Sequence, residues 1–270
     1  DGDHRDLHSF PTRRSSDRDD GWTLAFQPIV HGGSYEIESY ECLLRIRGGD
    51  GYLPTGPALG IAESMGLIRI IDQRVLVMAI EELNASAEVI LAINISGLTT
   101  TDPSWLRSLM ALVGDRPDLA KRLIVEITET AALDDMEEAV RFVSAVRKMG
   151  CRVALDDFGA GYTSFRHLKT LAVDIVKIDG SFVLNLTSRP EDCLFIKSLL
   201  DLASGYGLTT VAECVEDAEV ADMLSRQGVD YLQGYHFGRP SFDRPWLSNV
   251  TRREATGGAV ILSPDFRGNR

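Results

Sequence analysis

Two adjacent aspartates, Asp156 and Asp157, close the apolar run Val153-Ala154-Leu155 in the stretch CRVALDDFGAGYTSFRHLKTL. Neighbouring carboxylates repel, and at the end of a buried strand water screens that repulsion poorly. More acids stand inside other apolar runs, at Glu41, Glu126 and Glu213, together with Asn94 and the cations Lys177 and Arg45. A single polar residue in a strand is ordinarily a satisfied core hydrogen bond. Five carboxylates against two cations are another matter, because buried charge without counter-charge is strongly unfavourable. Added positive charge resolves the conflict. The donors are carboxylates and one amide oxygen, with no cysteine and no converging histidine. Such a set selects Mg2+, Mn2+ or Ca2+ over zinc or copper. It exceeds one ion's need, and a bridging Asp156 lets two ions share it.

The elements that would position these groups follow from periodicity. Strand-like runs cover residues 24–30, 39–46, 91–95, 123–128, 153–157, 175–179, 210–215 and 231–235. Helical patterns lie between most of them, at 56–86, 136–150, 192–207 and 217–228, and three of these four close on glycine. Strands alternating with helices imply a mainly parallel sheet, and eight of them predict an α/β fold, a modified TIM (β/α)8 barrel. The stretch HGGSYEIE between the first two strands is too short for a crossover, so the first strand is expected to be antiparallel. Side chains alternate along a strand, so Asn94 and Glu126 face away from Ile93, Ile95, Val125 and Ile127. The polar set, which includes Gln27 and Gln233, would face the barrel interior near the strands' C-terminal ends. The apolar set would face the helices.

The chain has 270 residues, 44% hydrophobic and 25% charged, and a net charge of -12. That balance argues against DNA or RNA polymers as partners. No apolar run approaches the roughly 18 residues of a membrane span. Without a secretory segment the expected location is cytoplasmic. The cysteines, Cys42, Cys151, Cys193 and Cys214, have no zinc spacing and are read as reduced thiols. Residues 1–20 are polar and aperiodic and are expected to be a non-native or disordered leader. The expected domain is 21–245, followed by a tail over 246–270.

Glu41–Arg45, ECLLR, resembles the EALxR signature of EAL-domain cyclic di-GMP phosphodiesterases. FQPIV, INIS, VEITET, DDFGAGYTSFRHLKTLAVDIVKIDGSFV, ECVE and QGYHFGRP resemble the family's other motifs in order, over about residues 22 to 242. The resemblance implies a modified TIM barrel with an antiparallel first strand. It also implies hydrolysis of cyclic di-GMP to pGpG with two Mg2+ or Mn2+ ions; Ca2+, whose larger and more flexible shell fits poorly where Mg2+ works, is expected to inhibit. Glu41, Asn94, Glu126 and Asp156 resemble ligands of the first metal. Asp156 and Asp157 resemble ligands of the second, with Glu213 close by. Lys177 resembles the residue that holds or activates the attacking water, so Lys177→Ala is expected to spare fold and metal binding while cutting the rate. Gln27 and Arg45 resemble substrate contacts, and Glu129 the anchor of the DFGAGYTS loop. Asp179, Glu216 and Gln233 resemble supporting residues, Asp179 and Gln233 being assigned to the substrate side. Family members often dimerise near that loop and often follow sensory or GGDEF modules.

Two positions depart from the family pattern, Cys42 for Ala and Cys214 for Gly. Both thiols are expected to be buried toward the helices, and a residue other than glycine at 214 can resist a positive φ. GGDGY at 48–52 echoes half of a cyclase signature but reads as a glycine-rich turn. His31, His167 and His236 show no ligand spacing. The acids of IRIIDQRVLVMAIEEL are expected to form a solvated edge. A competing reading is a catalytically silent domain that binds cyclic di-GMP as a receptor. Silent members typically lose a metal or lysine position, and here all are present.

Overall fold

A computed structural model of the protein describes residues 21–48, 51–160 and 165–247. The expected leader, residues 248–270 of the expected tail, Gly49-Asp50 and loop residues 161–164 lie outside the described residues. Within them nine strands form one sheet: β1 (Trp22–His31), β2 (Ile37–Gly48), β3 (Gly51–Pro54), β4 (Leu91–Ile95), β5 (Leu123–Thr128), β6 (Arg152–Phe158), β7 (Ile175–Ile178), β8 (Thr209–Ala212) and β9 (Tyr231–Gln233). From β2 through β4 to β9 the neighbours are parallel. β1 joins β9 to β2, antiparallel to both, and closes an eight-stranded barrel. A tight turn after His31 permits no other pairing. β3 was not evident from periodicity. It pairs antiparallel with β2, Gly48 opposite Gly51, so three residues of the GGDGY stretch, Gly48, Gly51 and Tyr52, lie in strands.

The helical pattern over 56–86 is two helices, Gly56–Ser64 and Ile68–Ala85, and not one. Gly66 between them has a φ of +69°, a left-handed conformation that ends the first helix. The other three patterns form Met136–Lys148, Pro190–Tyr206 and Ala218–Gln227. The acids of Ile68–Ala85 also depart from expectation. Asp72 and Glu82 are buried, because Asp72 accepts hydrogen bonds from Ser96 N and Thr99 Oγ1, and Glu82 pairs with Arg244 at 2.8 Å.

Strand alternation divides the core in two. Ile93, Ile95, Val125, Ile127, Val153, Leu155, Val176 and Ile178 pack outward among the helices. Ile29, Ala92, Ile124, Ala154, Ile175 and Val211 pack inward, against Ile90 and Tyr231, as an apolar plug in the barrel. Each plug residue lies two positions from a polar one, namely Gln27, Asn94, Glu126, Asp156, Lys177 or Glu213. Period-2 geometry therefore lifts those six into a single layer above the plug. Fully burying each large apolar side chain contributes about 1.5–3 kcal/mol, so the plug is a firm floor for the polar layer. Beyond β9, Ser241 exchanges backbone hydrogen bonds with Phe26 (2.7 and 3.0 Å). Trp246 then meets the rings of Phe26 at 4.9 Å and Tyr40 at 4.8 Å. The packed core thus reaches into the segment expected to be a tail. Among the described residues no helix is long and apolar enough to cross a membrane.

Candidate metal centre

The local fold explains how Asp156 and Asp157 share a site. Adjacent strand residues normally point to opposite faces. Here the β6–β7 register shifts between Leu155 and Phe158, and Asp157 takes a φ of +56°. This bulge turns the second carboxylate back toward the first. One carboxylate oxygen each from Asp156, Asp157 and Glu213 then lies within 4.8 Å of the others. The Asp157 N–H donates to Asp156 Oδ1 at 3.0 Å, offsetting part of the repulsion.

Lys177 stands at the centre of the layer with 1% exposure. Its Nζ lies 2.8 Å from Glu126 Oε2, 2.8 Å from Glu213 Oε1, 3.0 Å from Asp156 Oδ1 and 3.9 Å from Glu41 Oε2. Glu41 accepts hydrogen bonds from Asn94 Nδ2 and Gln233 Nε2, each at 2.5 Å. Gln233 Nε2 also reaches Gln27 Oε1 at 3.4 Å, and Gln27 Nε2 donates to the Gly238 carbonyl at 3.3 Å. Burial works against the charge on Lys177, but Asp156, Glu126, Glu41 and Glu213 outweigh it and hold the ammonium well above its ordinary pKa. Burial raises the carboxyl of Glu126 well above the usual range despite Lys177, raises Asp157, and lifts Glu213 to about 7.

The structure brings Glu41, Asn94, Glu126, Asp156, Asp157, Lys177, Glu213, Gln27 and Gln233 together. Others stand apart from the cluster. Arg45 is half-buried on β2, and its Nη1 donates to the Leu44 carbonyl at 2.8 Å. Asp179 caps the helix Gly180–Val183 by accepting from Ser181 N. Glu216 is exposed, with no hydrogen bond or ion pair to the cluster among the described residues. Glu129 is buried and accepts from Gly159 N at 2.7 Å, tying the start of the DFGAGYTS loop to the end of β5. Sequence reasoning missed Asp72, whose bonds to Ser96 and Thr99 fix the turn just after Asn94; a single acid on an apolar helix face was the available signal.

Cys42 is buried among the helix-facing residues, as expected, but Cys214 is exposed. β8 ends at Ala212, so strand alternation no longer governs residue 214. The backbone there has a φ of +55°, and the thiol lies against Gly180, where an added Cβ would come within 2.4 Å of Sγ.

This donor set fits hard divalent cations. All donors are oxygens, four carboxylates surround one ammonium with Asp157 beside them, and the buried Gln233 Oε1 has no hydrogen-bond partner among the described residues. The EAL domain family matches residues 13–240. The chain belongs to the EAL domain family. This EAL domain is 35% identical over 224 residues to cyclic di-GMP phosphodiesterase PdeB of Shewanella oneidensis, covering 80% of this chain and 26% of PdeB. It is 32% identical over 226 residues to cyclic di-GMP phosphodiesterase PdeF of Escherichia coli K12, covering 80% of this chain and 30% of PdeF. The EAL domain therefore spans about a quarter to a third of these curated relatives. The solved PaMucR phosphodiesterase in complex with c-di-GMP superposes with a TM-score of 0.76 at 30% identity, over 82% of this chain and 92% of that one.

Proposed function

We propose that this EAL domain hydrolyses one phosphodiester of cyclic di-GMP with Mg2+ or Mn2+, giving linear pGpG. The observation that carries the reading is the single layer of five carboxylates, Asn94 and Lys177 above the apolar plug. Its likeness to relatives named cyclic di-GMP phosphodiesterases supports the substrate. Glu41, Asn94, Glu126 and Asp156 would hold one ion; Asp156 and Asp157 would hold a second, with Glu213 beside it. Bound cations would neutralise the phosphodiester and make a nearby water more acidic. The remaining work falls to side chains. Lys177, whose Nζ lies among Glu126, Asp156 and Glu213, would orient water and offset developing charge. Glu213, 2.8 Å from Lys177 Nζ and beside the second ion's donors, is the carboxylate placed to carry a proton. Arg45 would clamp a phosphate, Gln27, Asp179 and Gln233 would contact substrate, and Glu129 and Glu216 would support the loops. The elements of one water are added across one P–O bond, leaving a phosphomonoester and a hydroxyl.

Incubation of the purified protein with cyclic di-GMP and Mg2+ or Mn2+, followed by chromatography, tests this directly. Metal-dependent pGpG is expected, Ca2+ should suppress it, and Glu41→Ala should abolish it. Binding without turnover would make the protein a receptor. Near-normal activity in Glu41→Ala would remove that residue from the metal site.

A further inference from the structure

The mouth of the barrel carries an aromatic pair that the metal centre does not use. Tyr52 and Phe242 have ring centroids 5.1 Å apart at 50°, and they remain 42% and 49% exposed. Register fixes where they sit. Directly opposed residues of antiparallel strands project to the same face, and so do residues two apart. Tyr52 is opposite Arg47, which is two positions from Arg45, and Arg45 is opposite Thr23. Glu41, Arg45, Arg47 and Tyr52 therefore share the inward face of the sheet, Tyr52 at its upper end. Phe242 approaches from the other flank. Ser241 pairs with Phe26 of β1 in an isolated bridge, and the ring of the next residue, Phe242, reaches Tyr52. The two rings meet across the upper ends of β1 and β2, above the side carrying both arginines.

We propose that Tyr52 and Phe242 form a stacking shelf for one guanine base of cyclic di-GMP, with Arg45 and Arg47 facing the adjoining phosphate. The proposal rests on the ligand named above but not on its hydrolysis. Nucleobases stack on aromatic faces, and base–aromatic stacking is strong enough to change affinity about tenfold per base. Guanidinium groups on the same face suit the anionic backbone that must accompany the base. The shelf gives the substrate a purine-reading element outside the reacting centre. Remote contacts of this kind position a phosphodiester for attack.

Isothermal titration with cyclic di-GMP, in Ca2+ so that binding is read without turnover, tests the shelf. The double variant Tyr52→Ala/Phe242→Ala should raise Kd about tenfold or more, while Tyr52→Trp, which keeps a stacking face, should bind close to the wild type. Ca2+ affinity measured alone should not change in either variant. An unchanged Kd in the double variant would overturn the proposal. So would a loss that Tyr52→Trp shares, because the pair would then be only a clasp between the paired strands β2 and β3 and the segment after β9. Production of pGpG is scored separately in Mg2+. Binding with no pGpG removes the phosphodiesterase reading and leaves the shelf standing; a wild type that does not bind removes both.

Discussion

Lys177 carries two roles that pull apart experimentally. From sequence, Lys177→Ala was expected to spare the fold. The contacts in the structure predict a cost instead, because the ammonium is the counter-charge beside Glu126, Asp156 and Glu213. Removing one partner of a buried ion cluster leaves uncompensated charge, typically costing about 3 kcal/mol or more. Lys177→Met should therefore lower the urea midpoint of the metal-free protein, and Mg2+ should restore much of the loss; equal midpoints in both proteins would contradict the counter-charge role. Cys214 offers a second residue-scale test. Its φ of +55° costs a non-glycine residue about 1–2 kcal/mol. Cys214→Gly should thus raise the midpoint slightly; a lowered midpoint would show that packing of the thiol against Gly180 outweighs the strain. Positions such as Glu41 and Glu126 were legible in the sequence because an acid inside a strand breaks an apolar pattern. The exposure of Cys214 was not, since alternation ceases where β8 ends.

The bulge in β6 governs the site at the level of elements. It converts two sequence neighbours into two donors on one side, and the chain then passes to Gly159. There φ is +100°, the N–H is held by Glu129, and an added Cβ would fall 2.6 Å from Phe182 and 2.8 Å from Phe195. The Phe182 and Phe195 rings stack at 4.0 Å and leave little room to yield. Gly159→Ala should destabilise the protein by about 2 kcal/mol and weaken Mg2+ binding, measured by urea denaturation and by titration of the ion. Normal metal affinity in that variant would separate the loop from the site. Periodicity predicted β4 and β5 to the residue because their alternation is uninterrupted. It missed the register shift at Asp156-Asp157 and the break at Gly66, which depend on single left-handed residues and on no pattern. β3 escaped because four residues beside a glycine-rich stretch are too few to show a period.

At the scale of the molecule, the acid layer couples folding to protons and metal. Glu126, Asp157 and Glu213 hold their protons to higher pH when folded than when unfolded. Folding therefore takes up protons between pH 4.5, the ordinary glutamate value, and about 7, where Glu213 titrates. For a carboxyl raised on folding, stability falls as pH rises through that window. Lys177, raised as well, stays charged across it in both states and adds no slope. Thermal melts of the metal-free protein should show a lower Tm at pH 8 than at pH 5, and saturating Mg2+ should flatten the difference. A Tm that rises with pH would contradict the assignment. The barrel architecture was legible as a whole because repeated strand and helix periods report on it many times over, whereas the C-terminal packing of Trp246 rests on one aromatic side chain. The apolar plug of Ile29, Ala92, Ile124, Ala154, Ile175 and Val211 has a final consequence. It closes the far end of the barrel, so the polar chamber is a cul-de-sac: whatever arrives at the carboxylates must depart by its own route of entry, and departing and incoming molecules queue at the same door.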